Sequence, residues 1–340
     1  MTITVLGIDL AKNVFQLHGV DEQGHVVVRK KLTRPKLLPF VAQLAPCCIG
    51  MEACQGAHYW AREMRKLGHD VRLISPQFVT PYRKSHKNDP NDAAAICEAV
   101  SRPHMRFVPI KEVEHQDVQA LHRARQLLIK QRTALCNQVR GLLSEYGIVV
   151  AKGVQRLRAS LPSLLEEAEN GLTFTSRELF QELYQQLVWL DERIDGMDVK
   201  IYQVCTSTEA CQRLAAIEGV GPMIATALYA AVPQPHLFHN GRHLAAWLGL
   251  VPRQHSTGGK ARLLGISKRG DRYLRALLIH GARAVVYRWK DKLNPSPRAR
   301  WLQQLIARRG LNCATVALAN KIARVAWVLL SQDVQYQPAR

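Results

Sequence analysis

Carboxylates all but vanish from the end of the chain. Between residues 241 and 340 only Asp271, Asp291 and Asp333 are acidic, against 19 lysines and arginines, a net of +16. The full 340 residues carry a formal charge of +20, so four-fifths of the excess lies in this stretch. A merely soluble basic surface mixes its signs more evenly. A field this one-sided favours a polyanionic partner, and nucleic acid is the first candidate. Long apolar runs are missing too: no 18 consecutive apolar residues occur, and no basic segment followed by an apolar stretch opens the chain. Neither a membrane span nor secretion is expected, and the cytoplasm is the expected location. The eight cysteines form no C-x-x-C pair, and the adjacent Cys47 and Cys48 suit neither a zinc site nor a disulfide framework. Reduced thiols are the expectation. Repeats and low-complexity tracts are also absent.

What is present is a folded chain with 47% apolar residues and length enough for two or three cores. Residues 3 to 32 read as three strands, "PCCIGME" as a fourth ending at Glu52, "AHYWAREMRKLG" as a helix closed by Gly68, and "DVRLIS" as a fifth strand. The order β-β-β-β-α-β-α predicts a mixed sheet flanked by helices over residues 1–105. Residues 106–208 carry two long amphipathic stretches, "LHRARQLLIKQRTALCNQVRGLLSEYG" and "ELFQELYQQLVWLDERIDGMDVKI". These suit antiparallel helices, or a coiled coil that pairs subunits into a homo-oligomer, a dimer or tetramer. Residues 209–340 read as mainly α-helical. They open with "LAAIEGVGPMIATALYAAV", where Gly219 and Gly221 make a turn like that of a helix-hairpin-helix. Backbone N–H groups at such a turn can hold a phosphate, although a tight turn without ligand has the same sequence.

The chemistry gathers in two places. "KNDPNDAAAI" sets Asp89 and Asp92 three residues apart around a proline, next to "YRKSHK" with Arg83, Lys84 and Lys87. One reading is a helix start, with Asp89 as N-cap, Pro90 at N1 and Asp92 at N3. The other puts both carboxylates on one face, where they could share a divalent cation with Asp9 at the end of the first strand and Glu52 at the end of the fourth. Four such carboxylates repel one another unless a cation compensates them, and Mg²⁺ or Mn²⁺ acting on phosphate fits hard oxygen donors. The neighbouring cations could hold a phosphodiester backbone. The second place is "RQHSTGGK", a hydroxyl pair before two glycines flanked by Arg253, His255, Lys260 and Arg262. It reads either as an ordinary turn or as a serine nucleophile on a basic loop. Beyond it, "SKRGDRYLRALL" places Lys268, Arg269, Arg272 and Arg275 in one basic stretch suited to DNA or RNA.

Taken together, "GIDLAKN…GMEACQGAHYW…KNDPNDAAAI" resembles the DEDD domain, of RNase H/RuvC-like fold, of a family of bacterial insertion-sequence transposases, the RNA-guided (bridge-RNA) recombinases of mobile elements. "GLVPRQHSTGGKARLLGISKRGDRYLRALLIHGARAV" resembles that family's C-terminal transposase domain. Both blocks occur in the family's order, so the resemblance spans nearly the whole chain. It implies an acidic tetrad of Asp9, Glu52, Asp89 and Asp92 binding Mg²⁺ or Mn²⁺. It further implies cleavage through a serine of the basic loop, donor and target DNA as substrates, a non-coding guide RNA as partner, and a nucleoid-associated place in a bacterial cytoplasm. For the nucleophile, alignment on the glycines could select Thr257, while residue type selects Ser256, whose primary hydroxyl is the less hindered. His255 is a candidate base or a phosphate contact. The expectation is a composite site in which the tetrad faces Ser256, with the serine coming from a different subunit.

Other classes remain in view. A metal-dependent Holliday-junction nuclease would use the tetrad but not the serine. An actin-like kinase would share "GIDLA" but needs glycines or hydroxyls after the aspartate, where "AKNVF" stands. A non-catalytic nucleic-acid-binding protein would leave the acidic set idle.

Overall fold

The computed structural model describes residues 2–84 and 88–337. Two compact units result, Met1–Glu114 and His115–Arg340. In the first, strands β1 (Val5–Leu10), β2 (Val14–Val20) and β3 (Val26–Thr33) are followed by α1 (Arg34–Val41), β4 (Cys48–Glu52), α2 (Ala57–Lys66), β5 (Asp70–Ile74), the short α3 (Pro76–Val79), α4 (Asp89–Val100) and β6 (Phe107–Val108). They build a six-stranded mixed sheet in the order β3-β2-β1-β4-β5-β6. The β1/β2, β2/β3 and β5/β6 pairs are antiparallel, whereas β4 runs parallel to both β1 and β5. The mixed sheet agrees with expectation, but the element order needs correction. Helix α1 sits between the third and fourth strands; its prolines Pro35 and Pro39 obscured it, although a first-turn proline costs a helix little. Strand β6 is two residues long, too short to leave a pattern.

Strand alternation sends Leu6 and Ile8 of β1, with Ile49 and Met51 of β4, into one core beside Trp60 and Met64 of α2. The opposite face carries Gly7 and Gly50, and α4 lies directly on them. A Cβ on Gly7 would fall 2.4 Å from Ala93 O and 2.5 Å from Cys97 N, and one on Gly50 would fall 2.8 Å from Val100 Cβ. Neither position can take a larger side chain while α4 stays in place. The contacts also fix direction. Val5 O accepts from Cys97 Sγ, and Gly7 faces residues 93 to 97, so α4 runs back along β1. Two strand residues advance about 6.7 Å, which four to five helical residues match. The first turn of α4, with Asp89 and Asp92, therefore points toward the strand ends that carry Asp9 and Glu52.

The second unit comprises α5 (Val113–Ser144), α6 (Val154–Glu166), α7 (Phe174–Ser207), α8 (Glu209–Ala215), α9 (Pro222–Ala231), α10 (Gly241–Trp247), the ribbon β7 (Pro252–Gln254) and β8 (Leu263–Ile266), α11 (Arg272–Trp289), α12 (Pro297–Arg309) and α13 (Leu311–Gln332). The two long helices fall where periodicity puts them, while α6 between them went unread. Leu135, Val139 and Leu143 of α5 pack with Leu157 and Leu161 of α6 and with Phe180 and Leu187 of α7. Asp191 of α7, nearly buried, locks the three together: Arg132 Nη1 lies 2.7 Å from one oxygen and Arg158 Nη1 2.9 Å from the other. Helix α13 is long and apolar enough to cross a membrane by length and composition. Here Leu318, Ile322, Ala326 and Leu329 are buried among residues of α8 to α11, so it serves as a core helix.

A buried polar bridge ties three helices of this unit. The His122 imidazole on α5 meets Tyr273 Oη of α11 at 2.9 Å through Nδ1 and Thr226 Oγ1 of α9 at 2.9 Å through Nε2. Burial, reinforced by Arg125, pushes His122 down to about 4 from its usual 6.5.

Two predictions follow from these contacts. Gly7→Ala should lower the stability of the first unit by about 2 kcal/mol or more, since the added methyl meets backbone rather than a yielding side chain. Denaturant unfolding with an unchanged midpoint would show that α4 does not need the glycine. For His122 the unfolded state binds the extra proton, so its contribution is intact above pH 6.5 and is lost as pH falls toward 4. Between pH 7 and pH 5 the second unit should lose about 2 kcal/mol. The neutral variant His122→Gln should flatten that slope, and an unaltered slope would contradict the assignment.

Candidate functional site

The sheet end of the first unit holds the acidic set. Ile8 pairs with Met51 in the β1/β4 register, so Asp9 and Glu52, the next residues, stand side by side on neighbouring parallel strands. As residues two beyond Gly7 and Gly50, they share the face covered by α4. Cys54, just past β4, senses both: burial first, then the charges of Glu52 and Asp9, raise its thiol above the usual value. Helix α4 starts one residue earlier than expected. Its N-cap is Asn88, whose Oδ1 accepts from Asn91 N at 2.9 Å, with Asp89 as the first helical residue and Asp92 at the end of the first turn. Asp89 is thus no cap, and its exposed carboxylate remains at the positive end of the helix dipole.

By charge alone Arg83 suits a phosphate. In the structure its Nε stands 2.8 Å from Asp92 Oδ1 but off the hydrogen-bond axis, a pairing of charge between two largely buried groups. Lys84 is exposed; Lys87 lies outside the described residues. Among the described residues, no three His, Cys, Asp or Glu side chains close around a point as a metal site does. The carboxylates share one end of the sheet, and Arg83 neutralises one of them. Their chemistry, hard oxygens in a row of like charge, is what an oxygen-seeking divalent cation requires.

Ser256 sits on the ribbon of the second unit, a hairpin within a region expected to be helical. Thr257 and Lys260 form an antiparallel bridge in which Lys260 N–H donates to Thr257 O at 3.0 Å, and Gly258 and Gly259 take φ of +55° and +76°, the mirror-image turn that only glycine adopts readily. Ser256 Oγ accepts from Gln254 Nε2 at 2.9 Å, and among the described residues no base hydrogen-bonds it. His255 is joined to the ribbon through its N–H to Arg262 O at 2.9 Å. Arg253, His255, Lys260 and Arg262 are all exposed, as are Lys268, Arg269 and Arg272. Arg275 departs from expectation: it is 8% exposed, and its Nη1 donates to Leu248 O at 3.1 Å and Arg269 O at 2.8 Å. It braces the base of the ribbon instead of facing a ligand. Gly219, with φ of +87°, has a packing role as well, since a Cβ there would meet Val285 Cγ2 at 2.7 Å and Gly281 O at 2.8 Å on α11. Gly221 is the N-cap of α9 and has open space around it. Asn88 and Gln254, which organise the two places, were missed; an Asn two residues before a proline was the available signal for the first.

Residues 6–148 match a family model described as "Transposase", that of the DEDD domain of IS110 elements, and residues 211–297 match "Transposase IS116/IS110/IS902 family". The chain belongs to this family of insertion-sequence transposases. It is 52% identical over 339 residues to a "Probable family 20 transposase" of Pseudomonas aeruginosa, covering 99% of this chain and all of that one. To the "Transposase for insertion sequence element IS1111A" of Coxiella burnetii it is 49% identical, covering 98% of this chain and 92% of the other. With the "Transposase for insertion sequence element IS1328" of Yersinia enterocolitica it shares 41% identity over 98% of each. Transposases cut and transfer DNA strands, so the transposase is an enzyme of DNA.

Placement of the acids in this transposase can be tested without substrate. Asp9→Asn or Glu52→Gln should lower the Cys54 thiol toward its ordinary value and speed its alkylation by iodoacetamide below pH 9 about two- to fivefold. Peptide mass spectrometry reads the rate, with the exposed Cys313 as internal control. An unchanged ratio would mean that the two carboxylates do not face Cys54.

Proposed function

We propose that this transposase cuts and rejoins DNA through Ser256, with Asp9, Glu52, Asp89 and Asp92 as ligands for Mg²⁺ or Mn²⁺. The observation that carries the acidic half is the course of α4, which turns its first two aspartates toward the strand ends bearing Asp9 and Glu52. A bound divalent cation would supply positive charge to a phosphate that becomes more negative in the transition state. Arg83 supplies positive charge to Asp92 at the same end of the sheet.

In the serine step, Ser256 Oγ bonds to phosphorus as the bond to the leaving deoxyribose oxygen breaks. The hydroxyl proton goes to a base, and the leaving oxygen takes up a proton. The phosphodiester count is conserved, so rejoining by the reverse attack needs no nucleotide cofactor. Gln254 can orient the hydroxyl but cannot take its proton; His255, next to Ser256 on the same ribbon, is the candidate base. Arg253, Lys260 and Arg262 on the same exposed hairpin would meet the phosphate charge, and Lys268, Arg269 and Arg272 add exposed cations within the same unit. Family membership favours this reading over a junction nuclease, which would leave Ser256 without a role.

The reading extends to partners. Resemblance to the guided recombinases supports a non-coding RNA as the element that selects donor and target. Trp189, Val199 and Tyr202 on α7 are large, exposed apolar residues, which supports pairing of subunits through the helical segment 106–208, with 209–340 as the transposase domain proper.

Cleavage of DNA carrying the element's ends separates the roles. Asp9→Ala and Asp89→Ala should each reduce strand cleavage at least a hundredfold with unfolding midpoints preserved. Ser256→Ala should abolish the covalent protein–DNA adduct. A folded tetrad variant with full activity in Mg²⁺ would refute the acidic role, and an adduct persisting in Ser256→Ala would refute the nucleophile and direct attention to Thr257.

A further inference from the structure

We propose that a cavity between α10 and α13 holds one unpaired nucleotide of a nucleic-acid strand. The cavity has a volume of about 420 Å³ and is lined by Asn240, Arg242, Lys321, Arg324, Trp327 and Val328, among others. That size lies in the range of small-molecule sites. Gly241 makes the cavity possible by letting α10 approach α13 closely; a Cβ there would meet Arg324 O at 2.8 Å.

Its chemistry divides into two parts. Arg242 and Arg324 are exposed at the rim, and Lys321 joins them from α13. Among the described residues, none of the three pairs with a carboxylate. The three aspartates of residues 241–340 are engaged elsewhere: Asp271 caps α11 by accepting from Leu274 N, Asp291 lies beside Lys290, and Asp333 pairs with Arg213. Burial, and then the charges of Arg298 and Arg324, lower the Lys321 ammonium from its usual value; Arg298 is itself paired with Glu218. Arg242 and Arg324 at the rim, with the Lys321 ammonium held beside them over the Trp301 ring at 4.8 Å, suit a phosphate. The wall, by contrast, is apolar. Val325, Trp327 and Val328 supply it, and the indole is fixed by its Nε1–H, which donates to Pro235 O at 3.0 Å. A half-buried aromatic wall below a cationic rim matches a base with its own phosphate. A paired base is already stacked and cannot enter such a cavity, so the ligand is single-stranded.

The inference rests on the nucleic-acid reading of this unit, and the full-length protein tests the two separately. Binding of a labelled single-stranded oligonucleotide, as DNA and as RNA of one sequence, and of a DNA duplex is followed by fluorescence anisotropy across salt concentrations. Wild type that binds none of these fails the nucleic-acid reading itself. For wild type that binds, Arg242→Gln/Arg324→Gln should weaken the single strand, with the log–log salt slope falling by about 1.4, about 0.7 for each lost phosphate contact. Duplex binding should be unaffected, and whichever sugar suffers the larger loss identifies the strand held. An equal loss on duplex and single strand would show a diffuse basic surface, and no change would show an idle cavity; either overturns the proposal. Photocrosslinking of a thiobase-substituted strand to the wild type, which needs no variant, should label residues 321–328, and labelling confined to other segments would overturn it as well.

Discussion

Helix α4 lies with its backbone against the sheet because residues 7 and 50 have no side chains, and the acidic end of the first unit depends on that approach. With any Cβ at residue 7, Ala93 O and Cys97 N would have to retreat. The helix would ride higher on the sheet, and its first turn would move away from the ends of β1 and β4. Glycine in a strand interior normally weakens it; here it sets how near Asp89 and Asp92 come to Asp9 and Glu52. The carboxylates are thus positioned by main chain, and only the last few ångströms depend on side-chain rotamers.

That geometry concentrates negative charge, and Arg83 answers part of it through Asp92. The serine ribbon presents the opposite case. Ser256 projects from an exposed two-stranded hairpin, held by a glycine turn at its tip and by Arg275 at its base, with cations and His255 on its surface. One unit thus sets carboxylates in a fixed frame, and the other presents a hydroxyl on an exposed ribbon.

Much of this was legible in the chain. The strands ending at Asp9 and Glu52 and the long helices α5 and α7 have strong periodicity, and "KNDPND" signals a helix start whatever its other roles. What escaped has physical reasons. Asn88 took the cap because its backbone is extended and its side-chain Oδ1 accepts from Asn91 N, which puts Asp89 in the helix. Basic character alone could not distinguish Arg275 from Arg272, since burial follows from helical phase and from which carbonyls lie nearby. The ribbon at 252–266 went unread because its strands are three and four residues long and almost wholly exposed, so no apolar alternation marks them. Arg83 was read by charge as a partner for phosphate, and only the fold brings it to Asp92.

Titration of Mn²⁺ into the full-length protein, with free Mn²⁺ followed by electron paramagnetic resonance, tests the central claim most directly. If the carboxylates at the end of the sheet are cation ligands and Arg83 competes for one of them, wild type should take up Mn²⁺ at a site lost in Asp9→Asn and Asp89→Asn. In Arg83→Gln the same site should bind more tightly. Equal Mn²⁺ uptake by all four proteins would contradict the account, leaving Asp9, Glu52, Asp89 and Asp92 as charges that the fold tolerates without use.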